Sequence, residues 1–132
     1  MKTLNQHLKS GNFKQIYLLY GSEDYLRRQY RDKLEQALIR EGDTMNCNYY
    51  EGKDISVPAL IDMSETLPFF SERRLIVVEN SGFFTSSQEE LTEYLKTLPE
   101  TTFMVFVEKD VDKRNKLYKL VSKQGYAACL DR

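Results

Sequence analysis

The residues best placed to do chemistry follow a short apolar run. Gln15–Tyr20 (QIYLLY) feeds Gly21, and a stretch with helical spacing comes next. This is the setting of a phosphate-binding loop, where bare backbone N–H groups, a lysine and a hydroxyl hold a nucleotide and its Mg²⁺. With the template G-x-x-x-x-G-K-[ST] laid on Gly21, the second glycine falls on Leu26, the lysine on Arg27 and the hydroxyl on Arg28. Leucine blocks the approach of a phosphate to the backbone, and a guanidinium has no lone pair for a metal. Glu23 and Asp24 stand where phosphates would lie and repel them. Arg27 alone could stand in for its counterpart. After the later run LIVVEN, the place where a hydrolytic enzyme carries a carboxylate base is taken by Asn80, beside Glu79. The stretch has the outline of a nucleotide site without its chemistry.

Other constellations are no richer. His7 is the single histidine, expected to face solvent from a first helix, so no Ser-His-Asp or Cys-His set can form around another. Asp110 and Asp112, flanked by Lys109 and Lys113, follow an apolar run as the phospho-acceptor of a receiver-like signalling domain would. The simpler reading is a helix cap with flanking charge. Lys113, Arg114, Lys116, Lys119 and Lys123 read as a solvated helix face rather than a nucleic-acid contact. Cys47 and Cys129 are too few and too far apart for a disulfide scaffold or a zinc site, and read as reduced thiols. No catalytic, cofactor-binding or metal-ligating residue is assigned, and no cofactor is expected.

Composition sets the frame for these residues. The chain has 132 residues, 41% hydrophobic and 30% charged, enough for one domain with a full core. A net charge of −1 and a pI near 5.9 argue against a protein that lives by DNA backbone contacts. No apolar run approaches the roughly 18 residues that span a bilayer, and MKTLNQHLKSGNF lacks the apolar centre of a secretion signal. No membrane association is expected, and the protein is read as cytoplasmic.

The elements that must position these residues alternate. Strands are read at Gln15–Tyr20, Asn46–Gly52, Arg74–Asn80, Thr102–Glu108 and Tyr126–Leu130. The middle runs are continuously apolar, as strands buried on both faces require. Helices are read around Thr3–Lys9, from Ser22 to a stop at Gly42, from Ser56 with Pro58 in its first turn, from a Ser87–Glu90 capping box, and from Asp112 to Gly125. Such alternation predicts a three-layer α/β domain with a mainly parallel sheet.

One stretch has no place in that frame. In ETLPFFSERRLIVVEN, Leu67, Pro68, Phe69 and Phe70 are consecutive apolar residues ringed by Glu65, Thr66, Ser71, Glu72, Arg73 and Arg74. Pro68 ends a helix and favours an extended segment, in which neighbouring rings point to opposite sides. Residue types alone leave two readings level: rings folded back over the sheet end, or a binding anchor with a polar rim.

The blocks YLLYGSEDYL and LPFFSERRLIVVEN, followed by a strand and DKRNKLYKL, together resemble the delta-subunit family of the bacterial DNA polymerase III clamp loader along the whole chain. The resemblance implies an AAA+-like, P-loop NTPase-type fold with a degenerate nucleotide site and strand order 5-1-4-3-2. It also implies that residues 1–132 form the N-terminal domain of a longer, three-domain protein. Its implied work is to bind the ring-shaped sliding clamp (the beta subunit) and help spring it open during DNA replication, as a non-enzymatic part of the DNA-directed DNA polymerase complex. The gamma/tau and delta prime subunits would be met mainly through the other domains, and DNA only indirectly or weakly. Many clamp partners carry the peptide Gln, Leu, Ser or Asp, Leu, Phe. Thr66, Leu67, Pro68, Phe69 and Phe70 fall on it in order: Leu67 and Phe70 match, Phe69 replaces leucine, Thr66 replaces the glutamine and Pro68 the small polar residue. These five are the expected clamp-binding residues, with Phe69 and Phe70 dominant. The helix bearing Leu60, Met63 and Leu67 is the expected source of bias toward the open ring. The alternatives are a divergent P-loop ATPase and the receiver-like domain.

Overall fold

The computed structural model describes residues 1–131. Among them, helices and strands alternate as α1 (Lys2–Ser10), β1 (Ile16–Tyr20), α2 (Asp24–Leu38), β2 (Cys47–Glu51), α3 (Val57–Ser64), β3 (Arg74–Glu79), α4 (Glu89–Leu95), β4 (Thr102–Glu108), α5 (Lys116–Gln124) and β5 (Tyr126–Cys129). The strands form one sheet in the order β2-β3-β4-β1-β5, and every pairing is parallel. This is the order 5-1-4-3-2 read from the other edge.

Period-2 alternation explains the layers. Ile16, Leu18, Ile76, Val78, Met104 and Phe106 point to one face, where α3, α4 and α5 cover them with Leu60, Leu91, Leu95, Leu117 and Val121. Tyr17, Leu19, Leu75, Val77, Val105 and Val107 point to the other, beneath Leu4 of α1 and Tyr30, Leu34 and Leu38 of α2. The edge strands β2 and β5 are only partly covered, which their polar positions tolerate. Gly125 is a steric necessity: a Cβ there would lie 2.1 Å from the Ile16 carbonyl oxygen, where the turn into β5 crosses the start of β1.

The helix ends depart from expectation for local reasons. Ser56 caps α3 as expected, its Oγ accepting from the Ala59 N–H at 3.2 Å. The Ser87–Glu90 capping box does not form. Gln88 precedes α4 without a side-chain cap bond, and the chain before it is drawn to α5, where the Ser86 carbonyl accepts from Asn115 Nδ2 at 2.8 Å. Asn115, not Asp112, caps α5 by accepting from the Tyr118 N–H at 3.0 Å; Asp112 turns its carboxylate to Arg114 instead. α2 stops at Leu38 rather than Gly42, because Ile39 turns extended and joins the core. His7 is half-buried rather than free in solvent. Its Nδ1 lies 2.7 Å from the Tyr17 hydroxyl, its ring stands edge-on to Tyr17 and Tyr126, and burial, then Lys14, lower its pKa.

Among the described residues no helix is long and apolar enough to cross a membrane. Cys47 and Cys129 are both free and sit on opposite edge strands. Four spacings of about 4.8 Å separate those strands by roughly 19 Å, against at most about 7 Å between bridged Cα atoms. Thiol titration of the unfolded, unreduced protein is expected to count two thiols per chain; a count of zero in a monomer would contradict this strand order.

Candidate functional site

At the C-terminal ends of the strands, the loop that could hold a phosphate is occupied by the chain itself. The Ser22 N–H donates to Asp131 Oδ1 at 2.7 Å and the Ser22 hydroxyl to the same atom at 3.1 Å. The Glu23 N–H donates to the Leu130 carbonyl at 3.0 Å. So Ser22 spends its hydroxyl on Asp131 and does not cap α2. Gly21 is needed here for a different reason from that of a phosphate loop: at φ 125 its missing Cβ leaves room for Leu130 and Asp131, whose atoms lie 2.6–2.8 Å from where that Cβ would be. Arg27 is unavailable as a lysine substitute. It is 7% exposed, donating to the Gly21 carbonyl and, at 3.1 Å, to Asp24. The cleft that remains, about 460 Å³, is lined by Asp110, Asp112 and Asp131 with, among the described residues, one cation, Lys109. A polyphosphate would meet carboxylates in it.

The ends of the next strands are spent similarly. Glu79 is ion-paired with Arg31 at 2.9 Å, and Asn80 Nδ2 reaches Glu51 at 3.4 Å. Sequence reasoning missed Glu108. Only 2% exposed, it accepts from the Ser81 N–H and hydroxyl at 3.1 and 2.8 Å and from the Gly82 N–H at 3.1 Å, tying the β4 end to the turn after β3. For the receiver-like alternative, Asp112 is engaged by Arg114, and among the described residues no three His, Cys, Asp or Glu side chains gather as a metal would need.

The other candidate lies at the opposite end of the sheet, where the strands begin. After α3 ends at Ser64, the chain from Glu65 to Arg73 crosses the starts of β2 and β3. Leu67 is 73% exposed, Phe69 51% and Phe70 88%. The two rings do not diverge as an extended segment would send them. Phe70 adopts φ 52, and its ring meets Phe69 edge to face, centroids 4.4 Å apart. Thr66 is exposed and Pro68 half-buried. Neither phenylalanine folds back into the core. The apolar face of α3 is not free, since Leu60 is fully buried and Met63 packs on the same core; of that expected set only Leu67, beyond the helix, is open.

Buried polar residues hold this turn, and sequence reasoning placed none of them. Asn46, 1% exposed, clasps Phe69 from both sides: its Oδ1 accepts from the Phe69 N–H at 2.6 Å and its Nδ2 donates to the Phe69 carbonyl at 2.8 Å. Arg74 is not part of a polar rim but 4% exposed, donating to the carbonyls of Thr66 (2.9 Å) and Leu67 (3.2 Å). Arg73 lies over the rings of Phe13 and Phe103. The visible signal was an arginine opening an otherwise apolar strand.

The three layers and the all-parallel order β2-β3-β4-β1-β5 define an AAA+-like α/β fold, whose glycine loop is closed by Leu130 and Asp131. A structure of a DNA polymerase III gamma subunit-related protein from Thermotoga maritima shares the fold at a TM-score of 0.62 and 14% identity, covering 99% of this chain and 45% of that one. The chain belongs to the DNA polymerase III delta subunit family, whose sequence pattern it matches over residues 17–130. It is 28% identical over 131 residues to the DNA polymerase III subunit delta of Bacillus subtilis, covering 90% of this chain and 38% of that protein. The solved DNA clamp loader delta protein of Bacillus subtilis superposes at a TM-score of 0.86 with 25% identity, over 98% of this chain and 42% of that one. The chain thus spans well under half the length of these relatives.

Two outcomes follow from this geometry. Calorimetry with Mg-ATP is expected to show no heat of binding, and a micromolar dissociation constant would contradict the closed loop. Burial holds the Glu108 carboxyl above the ordinary range, against the pull of its bonds from Ser81 and Gly82. A carboxyl with a higher pKa folded than unfolded binds more protons in the folded chain. Its stabilising contribution is therefore present below the unfolded value, roughly pH 4, and is lost as pH rises through the folded one. Glu108→Gln removes this titration. The melting temperature of the wild type relative to E108Q is expected to fall as pH rises from about 4 to about 7; a difference flat over that span would refute the assignment.

Proposed function

We propose that this chain is the clamp-engaging domain of a clamp-loader delta subunit, acting by protein–protein contact without nucleotide hydrolysis of its own. The observation that carries the reading is the turn Leu67–Phe70: three large apolar side chains stand outside the core on backbone tied down by buried polar groups, in a chain of the delta family. Exposed aromatics with a polar surround are the usual anchors of an interface. Leu67, Phe69 and Phe70 enter an apolar pocket of the ring-shaped sliding clamp, with Thr66 and Pro68 completing the peptide that lies across it. Opening the ring requires that the domain favour the open clamp over the closed one. The core packing of Leu60 and Met63 argues for a source of that bias other than α3. The remaining length of the relatives is consistent with further domains that meet the gamma/tau and delta prime subunits, with DNA touched only indirectly, in the cytoplasm.

The test is the double substitution Phe69→Ala with Phe70→Ala, read by surface plasmon resonance against a bacterial sliding clamp and by thermal melting. Burying one such ring contributes roughly 1.5–3 kcal/mol, so losing both is expected to weaken clamp binding about a hundredfold or more. Because Phe70 is 88% exposed and Phe69 half-exposed, with neither in the core, the melting temperature is expected to stay within a few degrees, whereas core truncations cost about 3–5 kcal/mol each. Lost stability with unchanged clamp affinity would return the phenylalanines to a packing role.

A further inference from the structure

We infer that Asn46 and Arg74 are positioning residues: neither presents a side chain to a partner, and both hold the Leu67–Phe70 turn in the shape that binds. The inference rests on the clamp-docking reading above. Three observations lead to it.

Asn46 treats Phe69 as a neighbouring strand would. Its carboxamide makes the paired donor and acceptor bonds of a backbone amide, at 2.6 and 2.8 Å. Its own backbone is anchored too, the Asn46 carbonyl accepting from the Leu75 N–H at 2.8 Å at the start of the β2–β3 ladder. A second bond from Nδ2 to Asp43 Oδ2, at 2.8 Å, fixes the amide plane. The turn is thereby referred to the sheet through one side chain.

Arg74 is a buried cation whose bonds within the described residues go to neutral oxygens. Besides Thr66 and Leu67 it reaches Asn48 Oδ1 at 2.7 Å and the Met45 carbonyl at 3.3 Å. Burying a guanidinium without a carboxylate is unfavourable, and a chain that needed only to pack this spot would place an apolar residue there, as it does at the next four positions, Leu75 to Val78. What the arginine adds is a rigid fork that ties the segment before β2 to the segment carrying Leu67.

Phe70 supplies the third observation. Its φ of 52 is a conformation that a bulky L residue leaves unless its surroundings hold it, and its ring gains nothing from the core at 88% exposure. Strain kept at an exposed aromatic fits a side chain aimed at something outside the chain. Preorganisation of this kind raises affinity by removing the ordering loss on binding.

The test uses the intact protein with Asn46→Ala and, separately, Arg74→Lys, which keeps the charge but loses the fork. The first readout needs no partner: the rate of chymotryptic cleavage after Phe69 or Phe70, by mass spectrometry, relative to cleavage after Tyr25, which is 63% exposed on α2. The Phe69/Phe70 rate is expected to rise about tenfold or more while the Tyr25 rate stays unchanged, because losing paired hydrogen bonds of ordinary strength frees the turn alone. The second readout is clamp affinity, expected to fall about tenfold in either variant and not to fall further when Asn46→Ala is added to the Phe69→Ala, Phe70→Ala protein. Cleavage that rises equally at Tyr25 would show a general structural role and overturn the inference. So would unchanged local cleavage in both variants. If the wild-type protein bound no clamp, the docking reading would fail on its own, while the cleavage ratio would still decide whether these two residues hold the turn.

Discussion

Strands β1, β3 and β4 must be covered on both faces, and the rest of the structure answers to that demand. Their near-continuous apolar sequences leave no face for solvent, so helices pack above and below and only the two ends of the sheet remain open. Every strand is parallel to its neighbours. The two ends are therefore chemically different, one made of strand beginnings and the other of strand endings.

Open parallel sheets ordinarily bind ligands at the strand endings. In this chain that end is satisfied internally. The register of β5 on β1, with Tyr20 opposite Cys129, delivers Leu130 and Asp131 to the N–H groups of Ser22 and Glu23. Glu108 likewise caps the turn after β3. Backbone donors that a nucleotide would have used are spent on the chain's own carbonyl and carboxylate oxygens. The fold keeps the scaffold of a nucleotide site while removing the unmet hydrogen-bonding capacity that makes such a site attract phosphate.

The strand beginnings reverse this balance. There the polar groups are buried and the apolar ones exposed, opposite to the usual partition. Asn46 and Arg74 lie within the fold, and Leu67, Phe69 and Phe70 stand outside it. The buried groups make the exposure tolerable, because they hold a turn that hydrophobic collapse would otherwise draw inward. The turn is therefore an already shaped apolar projection instead of a flexible peptide.

The sheet and its layers were legible in the sequence, since continuous apolar runs admit few arrangements besides strands buried on both faces. The sequence also argued against a working phosphate loop, because Leu26 puts a side chain where bare backbone is required and Arg28 has no hydroxyl for a metal. Helix ends such as those at Gln88, Ile39 and Asn115 were not legible, because several nearby residues can cap or stop a helix and tertiary contacts choose among them. The blocks around Phe69 and Phe70 marked the candidate site, but not on which side of the surface the rings would fall. Only the tertiary structure decided that, along with the roles of Asn46, Arg74, Glu108 and Asp131. Most of these contacts join residues distant in the chain: Asn46 meets Phe69 across 23 positions, Ser22 meets Asp131 across 109, and Arg74 joins the nearby Thr66 and Leu67 to Met45 and Asn48, 29 and 26 positions away. A polar residue's partner follows from strand register and crossover, which no local pattern of side chains records.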